Sequence, residues 1–387
     1  DDTYYPRFPL VTVRMKDDTL SSITGVGGSA PKLGQDFYPD PASASGTGDG
    51  QVVFIGFGIA APSLSHDDYG SADLEGAVAL MLNHEPGEFR PDSPFDGTVL
   101  SEESRLVRKV LAAQARGAVA VMVAPDLHNH TGHRGPTRPM RSVWPPQQPR
   151  IGRYQLASWI EAVQIPIVQI SAQLAQRIAG AAGQSFAVLS AAAERVGGVD
   201  AITLDQPRVE IKTSVLRETV PNRNVVGLVE GTDPERQNEW IIISAHYDHD
   251  GTTGGRIFNG ADDDASGVAG LIEIAEAYRN ASTQGFRPRR SILFAAWNSE
   301  EQGLLGAWAY TQSPLHPLNQ TVAVLNMDMI GRNEEIPTSG GPRFRGLEPQ
   351  TAEANRNSVN ILGYSRSPDL RVAADRANTG IALELRF

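Results

Sequence analysis

Apolar and polar positions divide the chain into three regimes. Residues 1–50 are rich in Gly, Pro, Ser and Asp and show no helical periodicity, so they read as short strands and loops. From 51 to about 190 apolar runs alternate with amphipathic stretches: strands are predicted at 51–59, 76–82, 118–123 and 165–170. Helices are predicted at 102–116, where Leu106, Val110 and Ala113 recur at spacings of four and three, and at 172–182. After about 205 the pattern becomes regular α/β. The apolar runs 223–230 and 239–246 are joined by Gly231-Thr232-Asp233-Pro234, a hairpin signal. A helix over 265–279 presents Val268, Leu271, Ile272, Ala275 and Tyr278 on one face. The apolar run 291–297 reads as a strand covered on both faces and 321–329 as another buried strand, with a helix at 301–311 between them. The end alternates again, as strand 359–364, helix 368–378 and strand 381–387.

Composition narrows the class. A chain of 387 residues predicts two or three domains. No apolar run reaches the roughly 18 residues of a membrane helix. The absence of Cys excludes disulfides, thiolate metal sites and a cysteine nucleophile, so any metal is held by His and carboxylates. A formal charge of -11 provides no basic footprint for nucleic acid. The polar start Asp1-Asp2-Thr3-Tyr4-Tyr5 lacks both Met and a signal peptide, as expected of a processed form or a fragment.

The candidate chemistry lies where strands end. The run 241–245 leads into His246-Tyr247-Asp248-His249, and 292–297 leads through Asn298-Ser299 into Glu300-Glu301. The run 322–327 delivers Asp328, and Asp262-Asp263-Asp264 directly precedes the helix at 265. In open α/β sheets ligands gather at the carboxyl ends of strands, so these groups are expected in one crevice. Carboxylates at close range repel and raise each other's pKa, a conflict that a pair of divalent cations removes. Imidazole and carboxylate donors suit Zn²⁺. Taken singly, Asp262 and Asp264 read equally well as helix caps.

In order, His246-x-Asp248, Gly260-Ala261-Asp262-Asp263-Asp264-Ala265-Ser266-Gly267, Glu300-Glu301-x-Gly303-Leu304-x-Gly306 and Asn326-Met327-Asp328-Met329-Ile330-Gly331 resemble the co-catalytic zinc peptidase family. That family holds the bacterial leucyl-type aminopeptidases and the glutamate carboxypeptidases. The resemblance implies an α/β fold, a three-layer sheet with helices on both faces, over 196–387, with 1–50 as its lead-in. Residues 51–195 look like the smaller α+β protease-associated domain inserted in such proteins, on the fragments Phe57-Gly58-Ile59, Gly117-Ala118-Val119-Ala120-Val121 and Ile165-Pro166-Ile167-Val168.

The resemblance also implies roles. Two Zn ions are expected, with Asp263 bridging them, His246 and Asp328 on one and Glu301 on the other. A cis peptide bond is expected after Asp263. Asp248 is expected to accept from the far nitrogen of His246 and fix its tautomer. Glu300 is the expected general base, passing a proton from the water between the metals to the leaving amine. Exchange of Glu300 and Glu301 is the main alternative. His249 is left between a structural role and substrate contact.

The sequence departs from the family in one respect. The second metal normally takes a His from a short Asp-His segment near the C-terminus, and the only His after His249 is His316, in a loop before the Asp328 strand. The second site therefore has only Asp263 and Glu301, and a C-terminal truncation is expected. The family's substrate-side tyrosine is not placed either. The implied activity is a metallo-aminopeptidase on peptide substrates, secreted or periplasmic. The alternatives are a carboxypeptidase or dipeptidase, for which Arg332 would supply pocket charge, and a receptor-like relative that has lost its ligands.

Rival signals are weaker. His128-Asn129-His130-Thr131-Gly132-His133 puts three imidazoles in a Pro- and Arg-rich loop, read either as a surface metal cluster or as an unpatterned loop. His84-Glu85 fails the helical two-His zinc motif, because the fourth following residue is Glu88 and Pro86 breaks a helix. No Gly-x-Ser-x-Gly elbow, phosphate loop or dinucleotide fingerprint occurs.

Overall fold

The computed structural model describes residues 4–16, 20–90, 92–95, 100–130, 154–333, 335–336, 349–363 and 367–387. Its contacts divide the chain into two units, one of 7–222 with 251–257, the other of 1–6, 223–250 and 258–387. Among the described residues no helix is long and apolar enough to cross a membrane.

The 7–222 unit contains, in chain order, β1 (Arg7–Met15), β2 (Ser22–Thr24), β3 (Phe37–Pro39), β4 (Gly46–Phe54), β5 (Val78–Leu82), α1 (Leu106–Gln114), β6 (Ala120–Ala124), β7 (Tyr154–Leu156), β8 (Ile167–Ile170), α2 (Ala172–Ala181), α3 (Phe186–Ala192), β9 (Ile202–Thr213) and β10 (Val215–Arg223). Seven of these strands form one sheet in the order β2-β9-β4-β5-β6-β8-β3. Its centre, β4-β5-β6-β8, is parallel. Every residue of β5 and β6 is buried, as expected of apolar runs covered on both faces. Leu174, Ile178, Phe186 and Leu189 of α2 and α3 pack in one core cluster, and Val110 and Ala113 of α1 in another.

This unit is larger than the 51–195 insertion expected from sequence, and its boundaries fall elsewhere. Backbone pairing explains the difference. β9 runs antiparallel to β4 from Ile202–Phe54 to Thr213–Gly46, and β1 pairs with β7, which draws the lead-in and the segment after 195 into this unit.

The second unit contains β11 (Val225–Val229), β12 (Trp240–His246), α4 (Ala265–Thr283), β13 (Ser291–Trp297), α5 (Leu305–Gln312), β14 (Thr321–Asn326), β15 (Ser358–Asn360), α6 (Pro368–Ala377) and β16 (Glu384–Arg386). The sheet order is β11-β13-β12-β14. The expected hairpin between β11 and β12 does not form. The wholly apolar β13 inserts between them, antiparallel to β11 and parallel to β12. Helices lie on both faces: Leu271 of α4 packs with Ile243 and Phe294, and Tyr310 of α5 with Trp240 and Leu293. On α4, Val268, Ala275 and Tyr278 face inward as expected, but Ile272 is exposed and Ile274 takes its place.

Two further expectations change. β14 is the edge of this sheet, and Val322, Val324 and Leu325 on it are exposed rather than covered. β15 and β16 pair with each other in a separate parallel ladder, so the end of the chain does not extend the four-stranded sheet.

Candidate metal centre

Three parallel strands bring the site together. His246 stands opposite Trp297 in the β12–β13 ladder, and Ser244 opposite Asn326 in the β12–β14 ladder. The segments carrying Glu300-Glu301 and Asp328 therefore leave the sheet at the same edge as His246. α4 starts there too, because Asp264 accepts from the backbone N–H of His246 at 3.0 Å and caps the helix through Gly267 N at 3.0 Å. Gly267 is required: a Cβ there would lie 2.5 Å from Asp264 Oδ1 and 2.7 Å from the Met327 carbonyl oxygen. The Asp263–Asp264 peptide bond is cis, as the resemblance implies.

The donor atoms fall into two groups, each within 4.8 Å: His246 with Asp264 and Asp328, and His249 with Asp263 and Glu301. Asp263 reaches both, since its Oδ1 is 3.1 Å from His246 Nε2. Asp264 also falls in the first group, but its oxygens are committed to backbone N–H groups of His246, Gly267 and Met329. Asp263 is thus the acid placed between the groups. His246 Nε2, His249 Nδ1 and Glu301 Oε1 are buried and make no hydrogen bond. His249 Nδ1 and Glu301 Oε1 nevertheless lie 2.6 Å apart. Close, buried polar atoms without hydrogen bonds are costly unless something else satisfies them, and lone pairs directed at shared cations do so. On donor type and on these orphaned atoms, the residues fit a pair of Zn²⁺-type ions.

Glu300 lies beside this set, its Oε2 3.8 Å from His246 Nε2. Burial pushes its carboxyl up to about 7; His246 opposes the rise, and the charges of Glu301, Asp328 and Asp248 add to it. For His246, burial acts downward, but the facing Asp248 and the charges of Glu300 and Asp264 outweigh it and carry the imidazole up to about 9. Two residues with left-handed backbone flank the acids: Ser299 (φ 58°) just before Glu300, and Met329 (φ 53°) just after Asp328. Non-glycine residues rarely adopt that conformation, and here it turns each acid off its strand toward the shared edge.

All six expected residues, His246, Asp248, Asp263, Glu300, Glu301 and Asp328, lie at this edge, with two changes of detail. Asp248 does more for the backbone than for the imidazole: its carboxylate accepts from Glu300 N at 2.9 Å and Glu301 N at 3.3 Å. Its Oδ1 stands 3.7 Å from His246 Nδ1, which is closer to the Asp248 backbone carbonyl, at 3.1 Å. His249, left open by the sequence, joins the Asp263 and Glu301 group. His316 does not approach it; its ring stacks on Trp240 at 3.5 Å. Asp262 faces Arg332, with Oδ2 2.8 Å from Nε, and its Oδ1 accepts from Gly331 N.

One supporting residue went unread in the sequence. Asn224 is buried, donates to the Gly306 carbonyl at 2.9 Å and accepts from Asn298 N at 3.0 Å, fixing the turn that carries Glu300. A lone amide opening an apolar run was its only signal.

Residues 224–372 match the model of peptidase family M28. Aminopeptidase NAALADL1 of Mus musculus is 35% identical over 144 residues, which are 36% of this chain and 18% of that protein. A probable glutamate carboxypeptidase of Arthroderma benhamiae is 31% identical over 157 residues, 39% of this chain and 20% of that protein. The chain thus matches about a fifth of the length of these relatives. Among solved structures, an aminopeptidase from Aneurinibacillus sp. strain AM-1 aligns with a TM-score of 0.41 at 18% identity, covering 86% of this chain and 61% of that one. A zinc aminopeptidase from Bacillus subtilis aligns with a TM-score of 0.37 at 16% identity, covering 99% and 68%. With the four motifs in order and their residues gathered at one sheet edge, residues 224–372 are the part of the chain that is similar to peptidase family M28.

Proposed function

We propose that the 223–387 unit carries a zinc-dependent exopeptidase site, and that its activity is that of an aminopeptidase releasing N-terminal residues from peptides. The observation that carries this reading is the division between neighbouring acids. Glu301 is held against His249 and Asp263, while Glu300 stands beside His246 with its carboxyl raised by burial to about 7. His246, Asp263 and Asp328 would hold one ion, and Asp263, Glu301 and His249 the other. Zinc bound there supplies Lewis acidity, polarising the scissile carbonyl and making water more acidic. Glu300 takes a proton on its carboxylate from the attacking water and returns it to the leaving amine, a role that suits a group titrating near neutral pH. Asp248 keeps Glu300 and Glu301 in place through their backbone N–H groups.

The choice of terminus follows from charge. A free C-terminal carboxylate needs a cation, and Arg332 is paired with Asp262, whereas the carboxylates at this edge favour a protonated α-amino group. The relatives carry both kinds of name, aminopeptidase and glutamate carboxypeptidase, so the second reading is a carboxypeptidase or dipeptidase. The retained His246, Asp263, Glu300, Glu301 and Asp328 speak against a receptor-like relative.

The test is a panel of free, N-acetylated and C-terminally amidated peptides, given to protein stripped with a chelator and reloaded with Zn²⁺. Release of the first residue only from free amines, lost on chelation and restored by zinc, is the expected result. Cleavage at the C-terminus of N-acetylated peptides would move the reading to a carboxypeptidase, and chelator-resistant cleavage would end it.

A further inference from the structure

A second group of imidazoles and a carboxylate lies in the 7–222 unit, outside everything assigned above. His84 Nδ1 is 2.9 Å from Glu88 Oε2, His130 Nε2 is 2.7 Å from the same oxygen, and the two nitrogens are 2.9 Å apart. We propose that His84, Glu88 and His130 form a further metal site that takes one divalent first-row cation of the Zn²⁺ type and clamps the 83–90 loop to the turn at 126–130.

Four observations support the site. The first is position: β5 and β6 are adjacent parallel strands, and both contributing segments follow their carboxyl ends, where α/β sheets place ligands. The second is proton bookkeeping. Without an ion, either both ring nitrogens donate to the one Glu88 oxygen with their hydrogens facing each other, or one nitrogen turns a bare lone pair on that oxygen. Three inward lone pairs around a cation remove that conflict. The third is size: an ion about 2.1 Å from all three atoms would sit about 1.3 Å off the plane of this 2.7–2.9 Å triangle, with donor–ion–donor angles of about 84°, those of one face of an octahedron.

The fourth is the shell behind the donors. Lys109, fully buried, donates to the carbonyls of Leu82 and His84 at 2.8 Å each. Asp126, also buried, accepts from His128 N at 2.8 Å, Ser190 Oγ at 3.0 Å and Asn129 Nδ2 at 2.7 Å, which shapes the turn presenting His130. Glu194 links the two segments, accepting from Gly87 N at 2.8 Å and Asn129 Nδ2 at 2.6 Å. These bonds hold the backbone of both ligand-bearing segments, so the three donors are presented from fixed loops. The donor set is two imidazoles and one carboxylate, which selects Zn²⁺-type cations over Ca²⁺ or Mg²⁺.

The site also settles what the two weak motifs do in space. Of the three imidazoles at 128–133, His130 joins the cluster, His128 does not, and His133 lies outside the described residues. Glu88, which disqualified His84 as half of a helical two-His motif, becomes its partner.

The experiment uses the full chain carrying Asp263→Asn and Glu301→Gln, so that the proposed catalytic metals do not mask the count. Zn²⁺ titration of this chelator-stripped protein should leave about one equivalent bound, which His84→Ala with His130→Ala removes. Glu88→Gln, which keeps the side-chain shape, should weaken Zn²⁺ at least ~10-fold. Zinc should also raise the melting temperature more in the parent than in these variants. If the double alanine variant does not fold, Glu88→Gln decides alone. Zn²⁺ affinity unchanged by Glu88→Gln, or no zinc bound by the parent, would overturn the proposal and leave imidazole–carboxylate hydrogen bonds only.

Discussion

The two units solve one problem over different lengths of chain. Each places imidazoles and carboxylates beyond the carboxyl ends of parallel strands. In the 223–387 unit every donor stands within about four residues of a strand end or on the cap of α4, so the sheet register itself delivers it. In the 7–222 unit His130 stands six residues past β6 and Glu88 six past β5, and buried Lys109 and Asp126 with Glu194 supply the positioning that strands supply in the other unit. Donors on a short leash leave a compact motif in the sequence. Donors on a long leash leave only residue types, and the order comes from side chains elsewhere.

The largest expected effect separates chemistry from metal holding within the first site. Glu300→Gln should lower kcat at least ~10²-fold with bound zinc unchanged, because the amide cannot accept the proton. Glu301→Gln should instead reduce zinc content. The reverse pattern, read by elemental analysis beside peptidase kinetics, would exchange the two roles.

The register argument is tested next by Asp264→Ala. This side chain accepts from the backbone N–H groups of His246, Gly267 and Met329, and so ties β12, α4 and the segment after β14 together. Leaving buried N–H groups unpaired should cost about 2 kcal/mol in urea unfolding, with zinc affinity falling as well. Asp264→Asn, which keeps one oxygen, should recover part of both. A loss of stability without any change in zinc affinity would show that the cap does not position His246.

How far the sequence could be read follows the same division. The runs at β12 and β13 and the start of α4 were legible because their apolar pattern is strong and the ligands adjoin them. The pairing was not: 223–230 and 239–246 satisfied a hairpin signal, yet the apolar β13 competes for both partners and wins by burying two faces. The unit boundaries were not legible for a related reason, since the β4–β9 ladder joins residues about 150 or more apart and local composition carries no trace of it. His249 was undecided because nothing local tells a loop imidazole that it will meet Glu301. The His84 cluster was invisible as a unit, for its parts are 42 and 46 residues apart.

A smaller effect probes the tighter packing of the 7–222 unit. Tyr69 is fully buried, and its hydroxyl donates to the carbonyl of Gly58 at 3.0 Å and lies 3.2 Å from that of Lys109. Tyr69→Phe should cost about 1 kcal/mol at neutral pH. Burial holds the phenol above its ordinary value, with Arg116 opposing and Asp68 adding. Above about pH 10 the unfolded chain therefore loses this proton first, and native stability falls with rising pH. The phenylalanine variant lacks that loss, so its deficit against the parent should shrink between pH 10 and 11. A deficit that stays constant over that range would mean that the phenol ionises equally in both states.

The smallest expected effect concerns β14, where the two sheets differ most plainly. β5 and β6 sit inside a seven-stranded sheet and are buried along their whole length, whereas β14 is the edge of four strands and leaves Leu325 about half exposed. An exposed side chain loses little when shortened, and threonine keeps the preference for extended backbone, so Leu325→Thr should change unfolding free energy by less than about 0.5 kcal/mol. Edge strands with apolar faces also invite pairing with other chains. The measurement therefore runs at two protein concentrations. A cost above about 1.5 kcal/mol that grows with concentration would mean that this face is covered in solution by another copy, and the contrast between a closed sheet and an open one would then hold only for the isolated chain.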